Sequence, residues 1–358
     1  MRKTIKIKLS LEDTMNKILN KIILIIISLL FLAQSVYSQN VSKTGTTAAA
    51  FVEIGVGAPA NAMGSAFVGL ANDASSLYWN VGGITNLDKY EVILSHTNWI
   101  ADTKFDYAGL VMPLGDFGNI GLSFTSLSME DMKVTTVDQP DGTGEYFSSS
   151  DIAIGLSYAR KLTDRFSVGI TAKYINESIW HMSASAFAID AGTVFKTDML
   201  GGLTIGAVLS NFGTSMKLEG RDARYYIQVD ETKLGSNDVI PVNIEMDSWD
   251  LPLSFQIGVS TEAINYDKYK LIVSADALIP SNDYQSVNVG TEFSFMEVFS
   301  VRAGYNSLFL KDSEGGFTFG AGVNSNILLS SAVIRFDYAF RDFGKLKNVH
   351  NFSIGIKF

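Results

Sequence analysis

From residue 89 to the end of the chain, apolar side chains recur at every second position in segments of about ten residues. Asp, Asn and Gly turns separate these segments. The segments run over 89–97, 103–113, 118–130, 150–161, 166–180, 184–196 and 202–212, then 252–260, 268–279, 285–295, 298–308, 316–325, 330–341 and 348–358. In one of them Ile152, Ile154, Leu156 and Tyr158 share a face, and Asp151, Ala153, Gly155 and Ser157 share the other. In the next, Phe166, Val168, Ile170 and Ala172 line up. The pattern predicts an all-β fold, a transmembrane antiparallel β-barrel of about 14 strands, an even number as bacterial single-chain barrels require. Closure follows from the solvent: in hydrocarbon every backbone N–H and C=O needs an internal partner, and only a ring has no edges. Small residues opposite the lipid-facing ones predict a lumen that is narrow or filled.

The connections supply an independent test. Gly115-Asp116-Phe117, Leu162-Thr163-Asp164-Arg165 and Phe295-Met296-Glu297 are short, whereas 131–149 and 213–251 are long and polar. Short periplasmic turns and long extracellular loops are expected of an outer-membrane barrel. Odd strands running outward put both long loops outside and both termini in the periplasm. The barrel itself is expected over 89–358. In its last strand Phe352, Ile354, Ile356 and Phe358 share one face, and Phe358 is the final residue. A terminal aromatic on an alternating strand resembles the signal read by the outer-membrane assembly machinery.

The start of the chain reads differently. From Met15, Lys17 and Lys21 precede the apolar run Ile22–Leu32, and Val36-Tyr37-Ser38 offers a cleavage site before Gln39. A run of about 11 residues is too short for a spanning helix, which needs ~20. Residues 1–38 are therefore expected to be a secretory signal peptide, with translation starting at Met1 or Met15. No Cys follows the run, which excludes a lipoprotein anchor; the chain has no Cys at all, which excludes disulfides, thiolate metal sites and cysteine nucleophiles. The net charge of −9, without basic tracts, argues against nucleic acid as a partner. Outer-membrane lipids are the expected surroundings.

Residues 39–88 lack strand alternation and are rich in Ala, Gly and small polar residues. Ala66–Leu70 and Ala74–Trp79 read as two short helical turns broken at Asn72-Asp73, either of which could cap the second. Such a segment could enter the barrel from the periplasmic side and plug it. Here the sequence resembles the PorV/PorQ family of outer-membrane barrels, which is related to the FadL-type fatty-acid transporters. Ala62-Met63-Gly64, Ala66-Phe67, Ala71-Asn72-Asp73-Ala74 and Tyr78-Trp79-Asn80 match the family's pieces in order; Val81-Gly82 stands where the family usually has Pro-Ala. The resemblance implies a fourteen-stranded barrel with an N-terminal hatch. For some members it implies service in the type IX secretion system of Bacteroidota, with secreted cargo and the translocon as partners.

Candidate chemistry is sparse. The three His, His96, His181 and His350, fall near predicted extracellular strand ends. Ser95 and Asn98 neighbour the first, and Ser183 and Ser185 the second, but neither spacing carries mechanistic force. Gly201-Gly202 and Gly315-Gly316 are turns rather than phosphate cradles. Trp99 and Trp180 fit an aromatic girdle. No catalytic residue, metal or cofactor is expected. The residues singled out lie in the hatch: Met63, Gly64, Phe67, Asp73, Tyr78, Trp79 and Asn80. Asp73 and Asn80 are expected to bond nearby backbone and fix turns. Trp79 either packs the plug against the wall or lines a hydrophobic ligand path, and packing is the preferred reading. The function expected is a non-enzymatic, secretion-associated barrel; the alternative is a FadL-like transporter of hydrophobic molecules, and a rim hydrolase is the weakest reading.

Overall fold

A computed structural model describes residues 45–199, 202–228, 240–310, 313, 315–325 and 332–358. The expected signal peptide lies outside the described residues, as do 39–44 and 229–239 in the longest loop. Fourteen strands form the wall: β1 Glu91–Asn98, β2 Lys104–Pro113, β3 Asn119–Ser128, β4 Ser149–Lys161, β5 Phe166–Ile179, β6 Met182–Lys196 and β7 Thr204–Gly213, followed by β8 Ser254–Tyr266, β9 Tyr269–Pro280, β10 Ser286–Phe295, β11 Phe299–Leu308, β12 Phe317–Asn324, β13 Val333–Asp342 and β14 Asn348–Lys357. Each coincides with one of the fourteen alternating segments. Every strand pairs antiparallel with its neighbours in sequence, and β14 pairs with β1 from Lys357↔Glu91 to His350↔Asn98. The ring is closed, and each ladder is occupied by paired residues.

The alternation sorts the side chains in the reverse of a soluble core. Leu122, Phe124, Ile154, Leu156, Ile170, Phe187, Ile257, Phe319 and Phe352 point outward and are exposed. Ser157, Thr171, Ser274, Asp276, Thr318, Asn351 and Ser353 point inward and are buried. An apolar exterior around a polar interior suits a wall facing hydrocarbon. Tyr90 stacks on Phe358 with ring centroids 5.8 Å apart, and Trp99 meets Phe343 edge-on at 5.2 Å, so aromatics mark both rims.

The two long connections lie at the same end. The one after β3 forms a small hairpin, Met132–Lys133 with Tyr146–Phe147. The one after β7 pairs Met216–Lys217 with Ser248–Trp249, and Arg224–Ile227 with Ile240–Asn243. Its Glu219–Gly220 also pairs with Met182–Ser183 at the start of β6, tying the loop back to the wall. The other end carries short turns such as Gly115–Phe117 and holds Phe358.

Substitution of Ile154 by Arg, in the middle of β4's outward face, is expected to destabilise the barrel by about 2–4 kcal/mol. Urea unfolding in lipid vesicles, with the folded form followed by its heat-modifiable electrophoretic mobility, measures this.

The lumen and its plug as candidate functional site

Residues 48–88 fill the lumen and are buried along most of their length. They begin at the long-loop end: the Ala48 N–H donates to the Asp250 carbonyl at 2.9 Å, and Asn282 Nδ2 donates to Thr47 Oγ1 (3.1 Å) and Glu53 Oε2 (3.0 Å). They end at the short-turn end, where Asn119 Nδ2 donates to the carbonyls of Ile84 and Leu87. The plug thus runs the whole height of the barrel. Both ends of the chain were expected on the short-turn side. Phe358 is there, but the first described residues, 45–48, sit at the opposite mouth. An entry confined to the short-turn side, as the sequence suggested, does not describe this path, because the alternation of strands cannot show how far a non-strand segment travels inside the ring.

The plug's local structure follows its composition. Pro59 opens a short helix, α1 (Ala58–Ala62), where its missing N–H has no partner to lose. Ser76–Trp79 forms the second, α2, inside the expected 74–79. The helical turn expected at Ala66–Leu70 is instead a tight turn, closed by Leu70 and Ala71 N–H groups on the Phe67 carbonyl. The wall takes up two further backbone groups there. The Val68 N–H donates to Asp276 Oδ2 at 2.8 Å, and Ser260 Oγ donates to the Gly69 carbonyl at 2.9 Å. These bonds favour an open turn over further helix.

The hatch residues divide into packers and fasteners. Met63, Phe67 and Trp79 form one buried cluster with Ala60; Phe67 and Trp79 have centroids 6.4 Å apart, and Tyr78 lies edge-on to Trp79 at 5.0 Å. Trp79 Nε1 donates to the Val56 carbonyl at 2.8 Å, so its polar atom is spent inside the plug. Gly64 has φ +66°, and a Cβ there would lie 2.7 Å from the Tyr305 backbone. Its side-chain hydrogen lets the plug touch β11. Asn80 accepts from the Gly82 N–H and donates from Nδ2 to the carbonyls of Val68 and Thr193, each at 3.0 Å. One side chain therefore joins two plug turns to β6. Asp73 accepts from the Ser75 N–H and hydroxyl and pairs with Arg335 of β13.

That last contact ends a chain of charges across the wall. Arg302 pairs with Glu292 and Asp337, and Arg335 pairs with Asp337 and Asp73; Lys357 Nζ lies 3.3 Å from Glu91 Oε2. The network borders a cavity of about 420 Å³ between the plug and β9–β14, toward the short-turn end. A smaller space of about 90 Å³ sits nearer the long-loop end, by Tyr78, Tyr107 and the Lys173–Asp190 pair. Sequence reasoning missed the wall-side partners Asp276, Ser260, Arg335 and Ser353, the last of which accepts from the Ala58 N–H at 2.6 Å. Their signal was present as polar and glycine residues on the inward face of strands, notably Gly290 and Gly304, where a Cβ would collide with Met63.

The histidines are dispersed. Ser95 faces the lumen, away from His96, which bonds Asp106 and Asn98 on the outward face. His181 lies between Asp222 and Arg221 in the long-loop region, and neither Ser183 nor Ser185 is its hydrogen-bond partner. His350 Nδ1 meets the Tyr338 hydroxyl at 2.8 Å, also outward. Phe352, Ile354 and Phe358 are exposed on the outward face of the last strand, with Ile356 half-buried between them.

The sequence profile of the family described as "Type IX secretion system protein PorV" matches residues 37–245. No curated protein matches the chain. Among solved structures, the Pseudomonas putida toluene transporter TodX is similar at 12% identity, with 85% of this chain and 97% of that chain covered and a TM-score of 0.51. The Ralstonia pickettii toluene transporter TbuX is similar at 10% identity, with the same coverage and a TM-score of 0.50. A Pseudomonas aeruginosa FadL homologue, at 13% identity over 83% of this chain and 98% of that chain, has a TM-score of 0.47. At these identities the likeness establishes the barrel fold alone.

Asn80→Ala removes three hydrogen bonds, two of them between buried groups, and is expected to weaken plug seating by about 1–3 kcal/mol while the wall stays intact. Hydrogen exchange should then rise in residues 66–86 and not in the strands.

Proposed function

The chain belongs to the PorV family of type IX secretion system proteins, whose profile covers more than half of it, and from that premise we propose that it is a non-enzymatic outer-membrane barrel serving protein secretion. The family match is the observation that carries this reading. On it, the long-loop end faces the cell exterior, the loops after β3 and β7 receive secreted cargo or a translocon component, and the barrel anchors them in the membrane. The signal peptide and the outward row Phe352, Ile354, Ile356 and Phe358 are proposed as its export and assembly signals.

Two features of the molecule favour a scaffold over a conduit. The plug occupies the lumen from mouth to mouth and is bonded to β6, β8, β9, β12 and β14. Among the described residues every wall strand is hydrogen-bonded to both of its neighbours, so no ladder is missing through which a solute could leave sideways. The fold likeness to hydrocarbon transporters supports a second reading, uptake of hydrophobic molecules through the 420 Å³ cavity. Beside Phe67, Ile272, Val333 and Ile356, that cavity is lined by the charged groups of Asp73, Glu91, Glu292, Arg302, Arg335 and Lys357. An apolar solute entering it would displace the solvation of paired charges and offer none in return.

Deleting the gene is expected to leave cargo proteins in the periplasm or unattached to the surface, with uptake of labelled toluene or fatty acid unchanged. Surface-protein mass spectrometry of the deletion strain checks this. An unaltered surface proteome overturns the secretion reading, and lost uptake would establish the transporter.

A further inference from the structure

Several inward-facing glycines of the wall are filled from the inside by the plug. A Cβ on Gly290 or Gly304 would strike Met63, and one on Gly320 would lie 2.7 Å from the Cβ of Ala62. Gly355 of β14 is different. The three atoms nearest to its Cβ position all belong to Arg335 of β13, at 3.7 to 3.8 Å, so no plug atom comes closer than that. The room left by the missing side chain opens on the 420 Å³ cavity, which Gly355 lines. Two residues on along the same face, Lys357 is cross-strand to Val333 on one side and to Glu91 on the other. The exposed Asn72 and the buried Pro59 line the same space from the plug.

The charges around this notch are incompletely matched. Glu91 is only 4% exposed, and its Oε1 accepts from the Ala74 N–H at 3.1 Å. Its Oε2 accepts no hydrogen bond. Lys357 Nζ lies 3.3 Å from that oxygen, on a side chain 36% exposed. A well-formed pair of this kind closes to ~2.7–2.9 Å, so this one is splayed. A buried carboxylate oxygen without a donor is costly. Arg335, with 21% of its side chain exposed, shows a second cation to the cavity, while its partners Asp73 and Asp337 lie recessed behind it. The notch therefore has cations at its surface, an unbonded carboxylate oxygen at its floor, and the apolar edges of Val333 and Ile356 beside it.

We propose that this notch binds the zwitterionic head of an α-amino acid, its ammonium on Glu91 Oε2, its carboxylate on Lys357 and Arg335, and its side chain along Val333 and Ile356. Charge decides among ligands. The lining carboxylates Asp73, Glu91, Glu292 and Glu297 match the lining cations Lys270, Arg302, Arg335 and Lys357 in number. Glu262 and Asp337 stand behind them and add two negative charges. The rim pairs Asp88 and Lys89, and Asp267 and Lys268, add one of each sign apiece. A free anion therefore enters against a negative surplus. A free cation meets Lys357 and Arg335 first, and a metal ion finds one unbonded carboxylate oxygen with a lysine beside it. An α-amino acid carries both charges on one carbon, so it fits between a carboxylate and an ammonium that lie side by side, and gives each a bonded partner. The cavity reaches the short-turn mouth, where Glu297 is exposed. On the orientation proposed above, that mouth admits a free amino acid or the amino-acid end of a cell-wall peptide, and the chemistry recognised is the same. The inference does not rest on the secretion reading.

Isothermal titration calorimetry of the folded protein in lipid nanodiscs tests it, with L-leucine and meso-diaminopimelate as probes. Saturable binding at one site per chain is expected for at least one of them. It should be at least tenfold tighter than that of 4-methylpentanoate, which lacks leucine's amine, or of 3-methylbutylamine, which lacks its carboxylate. Tighter leucine assigns the site to free amino acids, and tighter diaminopimelate to the cell-wall end. Gly355→Val fills the notch without meeting backbone, so it should abolish binding while keeping the parent's heat-modifiable mobility and urea midpoint. Glu91→Gln should weaken binding at least tenfold. At saturation, hydrogen exchange at residues 72–74 should slow in the parent and not in G355V. The absence of saturable heat with both probes, which leaves only water beside Glu91, overturns the proposal. So does equal affinity for either single-charge control, or an affinity that G355V and E91Q leave unchanged.

Discussion

A peptide group inside hydrocarbon has no bonding partner except another peptide group of the same protein, and the architecture follows from that constraint. Fourteen strands pair in sequence order, and the β14–β1 ladder removes the last edge. Once the ring is fixed, the period of two assigns each side chain either to lipid or to the lumen. The polar residues that a soluble sheet would show to water are gathered inside, where they need partners of their own.

The plug supplies many of them. Its N–H and carbonyl groups meet Ser353, Asp276, Ser260, Thr318 and Asn119 along the wall, so the same contacts satisfy the lumen and hold the plug. Charged groups are treated in the same way: Asp73 of the plug pairs with Arg335, which also serves Asp337. Buried pairs of this kind contribute more to the geometry of the assembly than to its stability, because the desolvation of each charge offsets most of the attraction. Removal of one member would nevertheless leave the other uncompensated, so the network acts as a unit.

The wall was legible in the sequence because a half-buried strand writes its environment into every second residue, as in Ile152 to Tyr158. The β4–β5 hairpin could be placed almost residue by residue from that alone. The plug was legible as a segment but not as a path. Its turns are set by contacts with residues some 200 to 300 positions away, such as Val68 with Asp276 and Ala58 with Ser353, and local composition carries no record of them. The helix expected at Ala66–Leu70 failed for that reason, whereas α2 survived because Asp73 and Ser75 specify it locally. The partnership of His96 with Asp106 was equally hidden, since the register of β1 on β2 joins residues ten apart across a turn.

The plug's passage from one mouth to the other bears on how the protein is made. The segment that fills the lumen is synthesised before any strand, yet its anchors on β9, β12 and β14 arrive last. Its Ala58–Ser353 bond spans 295 residues. Closing loops of that length before any contact rewards them is slow. The plug therefore cannot be fully seated until those strands are in place, and the ring and its filling reach their final form together. The seam between first and last strands is then a record of order in time as well as in space: it is where a growing sheet becomes a finished container, with its contents already inside.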